Sequence, residues 1–154
     1  MSELTVMKML PEQIEQVADI DKACFSSAWS AESISQDLEN GMNHYFVAML
    51  DGTVIGFAVL NAVIDQGDLD RIAVLPEYRR RGVAENLLFA VLNECRRLEL
   101  AAIFLEVRKS NAAAISLYRK CGFSAIGSRK NYYTLPTEDS VTMVLMYNES
   151  NLKG

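Results

Sequence analysis

The stretch that decides the fold is IAVLPEYRRRGVA, which occupies residues 72–84. Its apolar start predicts a strand that stops at Pro76, and its end begins a helix that runs from Gly82 to Leu98. The first turn of a helix carries free backbone N–H groups and about half a positive charge, so it binds phosphate. Gly82 and the small Ala84 would let a pyrophosphate approach the backbone, and the arginines at 79–81 would strengthen the anion site.

The same stretch has a plainer interpretation, in which the arginines form a solvated loop and Gly82 only makes a turn. A Walker phosphate-binding loop is excluded because no Gly-Lys-Ser/Thr follows. A dinucleotide-binding fingerprint would need a third glycine and a downstream acidic residue. The bare pattern R-x-x-G-x-A at residues 79–84 therefore leaves the anion site and the simple turn both open.

Hydrophobic patterning on both sides of this stretch predicts a mixed sheet covered by helices. A hairpin-rich front leads into a βαβα unit, and Asp51-Gly52 is the strongest short hairpin signal. The predicted strands are Thr5–Leu10, His44–Leu50, Thr53–Ile64, Leu69–Val74, Ala101–Val107, Phe123–Gly127 and Val141–Met146. The predicted helices are Pro11–Phe25, a short helix capped by Ser30 and stopped by Gly41, Gly82–Leu98, and one from an Asn111 cap to Lys120.

Composition places the chain among ordinary globular proteins. It has 154 residues, of which 50% are hydrophobic and 23% charged, with no repeat or low-complexity segment. We expect one domain over residues 1–147 and a short tail at 148–154. Three scattered cysteines, at 24, 95 and 121, and one histidine argue against a disulfide scaffold and a Cys/His metal site. The absence of a long apolar run and of a signal-peptide pattern predicts a cytoplasmic protein without a membrane partner.

Charge is unevenly distributed along the sequence. The net charge of −5 argues against direct nucleic-acid binding. Residues 1–70 hold 12 acidic and two basic side chains, whereas residues 71–154 hold eight acidic and 13 basic ones. This asymmetry predicts two ligands of opposite charge, one anionic and one cationic. The alternative is that folding intermixes the two halves and the asymmetry is accidental.

Several linked motifs resemble one known family. The R-x-x-G-x-A pattern resembles the acetyl-CoA pyrophosphate loop of the GCN5-related (GNAT) N-acetyltransferases. LEVRKSNAAAISLY at 105–118, RKNYY at 129–133 and Glu138-Asp139 are similar to motifs of the bacterial ribosomal-protein alanine acetyltransferases, the RimI type. The resemblance runs from about Thr5 to Met146. It implies an α/β (α+β mixed) GNAT fold, with a mostly antiparallel central sheet of about seven strands and four helices on both faces.

The resemblance also implies a chemistry. It implies acetyl-CoA as co-substrate, no metal, and direct attack by an amine, with Glu106 as general base and Tyr118 as general acid. A covalent cysteine mechanism is disfavoured because no histidine is placed to activate a thiol. The residues implied to contact the cofactor are Ile72, Ala73, Val74, Arg79, Arg80, Arg81, Gly82, Val83, Ala84, Asn111 and Tyr118.

The residues themselves fit these roles but allow others. Glu106 lies on the strand face opposite Leu105 and Val107, where a carboxylate can take a proton from an amine. A phenol such as that of Tyr118, with an ordinary pKa of about 10, suits protonation of a departing thiolate. Alternatively, Glu106 is a surface carboxylate paired with an arginine, Tyr118 is a core tyrosine, and helix capping alone explains Asn111.

The substrate implied by the resemblance is the N-terminal alanine of small-subunit ribosomal protein eighteen, a basic protein N-terminus. Trp29, near the helix pair, and Tyr132 and Tyr133, in a loop, would line the peptide groove, although Trp29 also fits core packing. Ala28 and Thr134 stand where the group has prolines, which puts the peptide specificity in question. We expect a monomer or weak dimer. There are two alternatives. The substrate is another protein, a peptide or a small amine, or the chain is a non-catalytic acyl-CoA-binding module.

Overall fold

The computed structural model describes residues 3–147, and the predicted tail at 148–154 lies outside them. The strands are β1 Leu4–Lys8, β2 Asn43–Leu50, β3 Thr53–Val63, β4 Gln66–Val74, β5 Ala102–Arg108, β6 Ser124–Tyr133 and β7 Glu138–Met146. The helices are α1 Ile14–Cys24, α2 Ala31–Glu39, α3 Val83–Arg97 and α4 Ala112–Lys120, with 3-10 turns at Pro11–Gln13 and Pro76–Tyr78. The predicted order of elements is confirmed.

One seven-stranded sheet organises these elements. Its strand order is β1-β2-β3-β4-β5-β7-β6. All neighbouring strands are antiparallel except β4 and β5, which are parallel because the chain crosses over through α3 between them. This mostly antiparallel mixed sheet confirms the predicted fold class.

Helices cover both faces of the sheet. Residues of α1 and α2, such as Val17 and Ile34, pack against Val59 and Phe57 on one face. Residues of α3, together with Tyr118 of α4, pack against Leu105 and other strand residues on the opposite face. The burial of apolar side chains on both faces holds the sheet between two layers of helix.

The predicted hairpin turn at Asp51-Gly52 and the predicted helix caps at Ser30 and Asn111 are confirmed. Asp51 and Gly52 have φ angles of 51° and 80°, the left-handed pair that a type I′ hairpin turn requires. The Ser30 hydroxyl accepts a hydrogen bond from the N–H of Ser33 at 3.1 Å and caps α2. The Asn111 side-chain oxygen accepts from the N–H of Ala114 at 3.1 Å and caps α4.

Some predicted element ends are wrong. β4 begins at Gln66 and not at Leu69, and β7 begins at Glu138 and not at Val141. β6 continues past Gly127, so the expected loop at Tyr132 and Tyr133 is the end of a strand. The reason is physical: β6 is an edge strand with nine exposed residues, so the ladder forms without the alternation of apolar side chains that sequence patterning detects.

A buried carboxylate ties α3 to the first two strands. Glu94 is 5% exposed, and its oxygens accept two hydrogen bonds from Arg97 at 2.8 and 2.7 Å. The ammonium of Lys8 and the Nδ1 of His44 lie 3.2 and 3.3 Å from the same carboxylate. The hydrogen bond from Arg97, opposed by burial and supported by Lys8, lowers the pKa of Glu94 to about 2.

Replacing Glu94 by glutamine is expected to destabilise the fold by about 2 kcal/mol at pH 7, since one pKa unit corresponds to about 1.4 kcal/mol and the exposed partners are screened by solvent. Because folding lowers this pKa, the stabilisation is complete above the unfolded value and is lost as the pH falls from about 4.5 to about 2. Urea unfolding at several pH values measures it. The more exposed pair Glu85–Lys120 supplies the control, since Glu85→Gln should cost less than about 1 kcal/mol.

Candidate active site

The sheet opens in its centre, between β4 and β5. The two strands pair only at their starts, where Gln66 to Asp68 lie beside Ala102 to Phe104. Further along, no ladder within residues 3–147 joins 69–74 to 105–108, while β3 and β7 pair with the outer edges of the two strands. The facing backbone edges therefore line a cleft in the sheet.

A bulge in β4 changes which side chains face which way. Leu69 pairs with Leu60 and Arg71 with Val59, so Asp70 has no opposite residue. The extra residue places Arg71 on the same face as Asp68, although strict alternation would put them on opposite faces. This is the face covered by α1 and α2.

The segment 79–84 leads from the cleft into α3. Gly82 occupies the N-cap position of α3 with a φ of 79° and offers no capping side chain, and Arg80 has a φ of 64°. A Cβ at Gly82 would meet only Asn86 Nδ2 at 3.9 Å, so the backbone angle, and not space, requires glycine. Within residues 3–147, the N–H groups of Val83 and Ala84 have no acceptor, as expected of an uncapped first turn.

The arginines of this segment differ in their surroundings. The Nε of Arg79 donates to the carbonyl oxygen of Val74 at 3.1 Å, and its guanidinium lies 3.8 Å from the Cys24 sulfur. Arg81 lies over the ring of Tyr78 at 5.5 Å from its centroid. All three arginines are exposed. They surround the helix N-terminus with positive charge, although the guanidinium of Arg79 is turned back towards β4.

Glu106 lies on β5 at the mouth of the cleft, with its side chain 16% exposed. Its Oε1 accepts hydrogen bonds from the hydroxyls of Ser140 and Thr142 on β7, at 2.6 and 2.8 Å. The Nε of Arg129 on β6 lies 3.4 Å from Oε2. Two hydroxyls of β7 and one arginine of β6 therefore hold this carboxylate in one orientation.

Tyr118 packs on the opposite face of the sheet from Glu106, in the core that α3 shares with strand residues such as Leu105. It is 5% exposed and its ring lies 5.7 Å from that of Phe123. Burial, with a smaller effect of Tyr133, raises the pKa of Tyr118, so the phenol keeps its proton at neutral pH. Its hydroxyl has no hydrogen-bond partner within residues 3–147, and it is not sealed from solvent.

The phenol of Tyr133 interacts electrostatically with both Glu106 and Tyr118. Burial raises the pKa of Tyr133 to about 12, and the charges of Tyr132 and Glu106 add to the shift. The guanidinium of Arg108 lies 4.5 Å from its ring centroid, and the Tyr132 ring meets it edge-on at 5.0 Å. Tyr132 is 47% exposed.

Trp29 and the first-turn residues of α4 complete the predicted set. Trp29 lies in the α1–α2 segment, which we define as residues 25–30, and its ring stacks on the guanidinium of Arg71 at 3.9 Å. It is therefore neither fully in the core nor free in solvent. Asn111 is exposed, and its oxygen makes the helix cap described above. Residues 72–74 form the end of β4, on the cleft.

Sequence reasoning missed the residues that surround Glu106 and an acidic group beside it. Asp68, Asp70 and Asp37 lie on the α1 and α2 side, and none forms an ion pair within residues 3–147. Burial, then Asp68 and Asp37, raises the pKa of Asp70 to about 6. The polar residues Ser140 and Thr142, which alternate with apolar ones on β7, were the available signal, but their partner depends on register.

Between residues 3 and 147, no group of three or more His, Cys, Asp or Glu side chains could hold a metal ion. None of the four helices in that range is long and apolar enough to cross a membrane.

Comparison with known proteins identifies the family. The model of the Acetyltransferase (GNAT) family matches residues 14–123. A relative from Bacillus subtilis strain 168 is 37% identical over 94% of this chain and 96% of its own length. The ribosomal protein bS18-alanine N-acetyltransferase of Escherichia coli K12 is 33% identical over 92% of this chain and 96% of its own.

A solved structure agrees with the sequence matches. The crystal structure of the ribosomal-protein-S18-alanine N-acetyltransferase from Escherichia coli superposes with a TM-score of 0.85 and 31% identity. The alignment covers 96% of this chain and 97% of that one. The resemblance inferred from the sequence motifs is thereby confirmed. The chain belongs to the acetyltransferase (GNAT) family and is an N-acetyltransferase.

Proposed function

We propose that this enzyme transfers the acetyl group of acetyl-CoA to the α-amine at the N-terminus of a cytoplasmic protein by direct attack. The observation that carries the proposal is the placement of Glu106 and Tyr118. Glu106 faces the α1 and α2 side of β5, and Tyr118 packs in the core on the opposite face of the sheet; we take the cleft between β4 and β5 as the place where both act. The cleft is thus flanked by a carboxylate that can take a proton and a phenol that can give one.

The chain offers a fitting place for acetyl-CoA, which supplies the activated acetyl group as a thioester. The backbone edge at Ile72–Val74 has no strand partner on the cleft side, although the Val74 carbonyl accepts from Arg79, and it can pair with an extended pantetheine arm as a further strand would. The N–H groups at Gly82–Ala84 and the positive charge of Arg80 and Arg81 suit the pyrophosphate. We assign the backbone of Arg79, more than its guanidinium, to this loop, and the free amide nitrogen of Asn111 to the arm.

Each of the two proton-handling residues has a defined task. Glu106 takes a proton from the amine, because a protonated α-amine cannot attack, and the hydroxyls of Ser140 and Thr142 orient its carboxylate. Tyr118 gives a proton to the departing sulfur, and its raised pKa keeps it protonated until then. Tyr133 lies close enough to Glu106 and Tyr118 to fix the reacting groups between them.

The substrate we propose is the N-terminal alanine of ribosomal protein bS18, for which the Escherichia coli relative is named. The carboxylates of Asp37, Asp68 and Asp70, which form no ion pair within residues 3–147, support a basic peptide because they leave one side of the cleft negative. Trp29, Tyr132 and Tyr133 would line the groove on its two sides. The enzyme would act as a monomer or weak dimer.

The test of the proposed function is direct. The enzyme is mixed with acetyl-CoA and a peptide copy of the mature bS18 N-terminus, and the products are measured by mass spectrometry. We expect one acetyl group on the α-amine and none on lysine side chains. If lysine side chains or polyamines were acetylated in preference to the α-amine, the substrate would be another amine and not the bS18 N-terminus. Acetyl-CoA binding without turnover on any amine would favour a non-catalytic module.

Asp70 makes the basic-peptide part of the proposal testable through pH. Asp70→Asn is expected to raise KM for the peptide about fivefold at pH 7.5, because one nearby charge of opposite sign is lost. Since Asp70 has a pKa of about 6, its charge is present above that pH and lost below it. Wild-type KM should therefore rise towards that of the variant as the pH falls to 5.

The control for this experiment is Asp65→Asn, in the turn that precedes β4 and away from the cleft mouth. It should leave KM for the peptide unchanged. A neutral peptide of equal length should show the Asp70 effect weakly or not at all. If both peptides respond equally to Asp70→Asn, the carboxylate does not act on substrate charge.

A further inference from the structure

Arg71 is the most heavily engaged charged side chain next to the cleft. It follows the unpaired Asp70 on β4 and is 13% exposed. Its Nη1 lies 2.6 and 2.7 Å from the two carboxylate oxygens of Asp21, whose side chain is completely buried. Its Nη2 donates to the carbonyl oxygen of Ser27 at 2.6 Å. An arginine with this many short contacts is held in one position.

Two aromatic rings enclose the same guanidinium. Its central carbon lies 4.5 Å from the ring centroid of Phe25 and 3.9 Å from that of Trp29. Phe25 and Trp29 are the two aromatic residues of the α1–α2 segment, so the segment wraps around the head of one side chain that projects from the sheet. Stacking of a planar guanidinium between rings adds to the charge pair and cannot be reproduced by an ammonium group.

Apart from Arg71 and the packing of Phe25 and Trp29 against the core of this face, the α1–α2 segment has little to hold it. It belongs to no helix or strand. Outside the two flanking helices, its backbone hydrogen bonds within residues 3–147 go to two side chains only: the N–H of Trp29 donates to Asp21, and the carbonyl of Ser27 accepts from Arg71. The position of the segment therefore depends on the Arg71–Asp21 pair.

The segment lies beside the cleft on the face from which Glu106 projects. Asp68 pairs with Phe104 on β5, and Glu106 is two residues further along, on the same face. The bulge brings Arg71 to that face too. The segment begins after Cys24, whose sulfur lies 3.7 Å from the carbonyl oxygen of Val74 at the end of β4. A substrate that reaches Glu106 from this face passes the α1–α2 segment.

We infer that Arg71 is a positioning residue for the amine substrate, an inference that rests on the proposed function. It acts through the α1–α2 segment: with Asp21 it fixes Phe25 and Trp29 against β4 and so sets one wall of the peptide groove. Its charge is already neutralised by Asp21 and takes no part in peptide binding. Acetyl-CoA binding and the chemical step, which use other residues, do not depend on it.

The test compares Arg71→Lys and Arg71→Met with the wild type. Lysine keeps the charge that Asp21 needs, so the protein should fold, but it loses the fork to Ser27 and the stacking. We expect Arg71→Lys to raise KM for the bS18 peptide about tenfold, with kcat and KM for acetyl-CoA nearly unchanged, because a misplaced wall weakens substrate positioning. Arg97→Lys, in the Glu94 cluster on the other side of the sheet, is the matched control and should change none of these constants.

Trp29 provides a second, independent measurement, because it is the single tryptophan of the chain. Acrylamide should quench its fluorescence more strongly in Arg71→Lys than in the wild type or in Arg97→Lys. This readout follows the position of the segment without any turnover. Thermal unfolding of each variant, monitored alongside, separates displacement of the segment from loss of the fold.

The outcomes are distinguishable. A higher peptide KM in both Arg71 variants, with stronger quenching in Arg71→Lys, supports the inference. If Arg71 acted through its charge, Arg71→Lys would behave as the wild type and Arg71→Met would bind the basic peptide more tightly; either result overturns it. A rise in KM for both substrates together with a lower kcat would also overturn it, since that pattern indicates a general structural role. A wild type inactive on the peptide would refute the proposed function itself.

Discussion

Replacing Glu106 by glutamine should lower kcat by about 100- to 1000-fold, within the range that general-base catalysis contributes. The amide keeps the shape of the side chain, and its oxygen can still accept from Ser140 and Thr142, so only the ability to take a proton is lost. KM for acetyl-CoA should stay the same. Release of free thiol with time, measured at saturating substrate, gives kcat directly.

The dependence of this deficit on pH separates a base from a binding residue. An α-amine has a pKa of about 8, so its unprotonated fraction grows as the pH is raised. The deficit of Glu106→Gln should therefore shrink between pH 7 and pH 9.5. Glu12→Gln, on the exposed surface of the first 3-10 turn, should match the wild type. A deficit that stays constant over this range would argue against proton transfer to Glu106.

Replacing Tyr118 by phenylalanine should lower kcat by about 100-fold, because the departing thiolate loses its proton donor. The ring and its contact with Phe123 remain, so the free energy of unfolding should change by less than about 1 kcal/mol. Stopped-flow or discontinuous thiol assays measure the rate, and urea unfolding measures the stability.

The nature of the leaving group tests the role of Tyr118. A thiol of lower pKa leaves without help, so an acetyl thioester of such a thiol should restore much of the rate to Tyr118→Phe. Tyr147→Phe, whose hydroxyl lies 3.5 Å from the carbonyl oxygen of Leu92, is the matched control and should be fully active. If Tyr118→Phe lost the same factor in rate with acetyl-CoA and with the thioester of the more acidic thiol, Tyr118 would act in binding or packing and not as an acid.

The parts of this protein that could be predicted from its sequence are those that act over short distances along the chain. The left-handed turn at Asp51-Gly52, the caps at Ser30 and Asn111, and the strand-loop-helix unit around Gly82 each depend on a few consecutive residues. The roles of Glu106 and Tyr118 came from motifs shared with a family, and they stay predictions.

The parts that could not be predicted depend on register and on irregularity. Which hydroxyls meet Glu106 is decided by the pairing of β5 with β7, which aligns Glu106 with Thr142. The face of Arg71 is decided by the bulge at Asp70, because alternation along β4 gives the opposite answer. The polar start of β4 at Gln66 could not be predicted from hydrophobic patterning, because the backbone hydrogen bonds of a sheet need no apolar side chain.

The split between β4 and β5 has a consequence for the traffic of molecules through the enzyme. Under the proposed function, the sheet is a partition with one gap: the peptide end arrives from the side of α1 and α2, and Tyr118 projects from the side of α3 and α4. The two substrates meet only inside the gap. We expect each product to leave from its own face of the sheet, so that the release of one product does not depend on the release of the other.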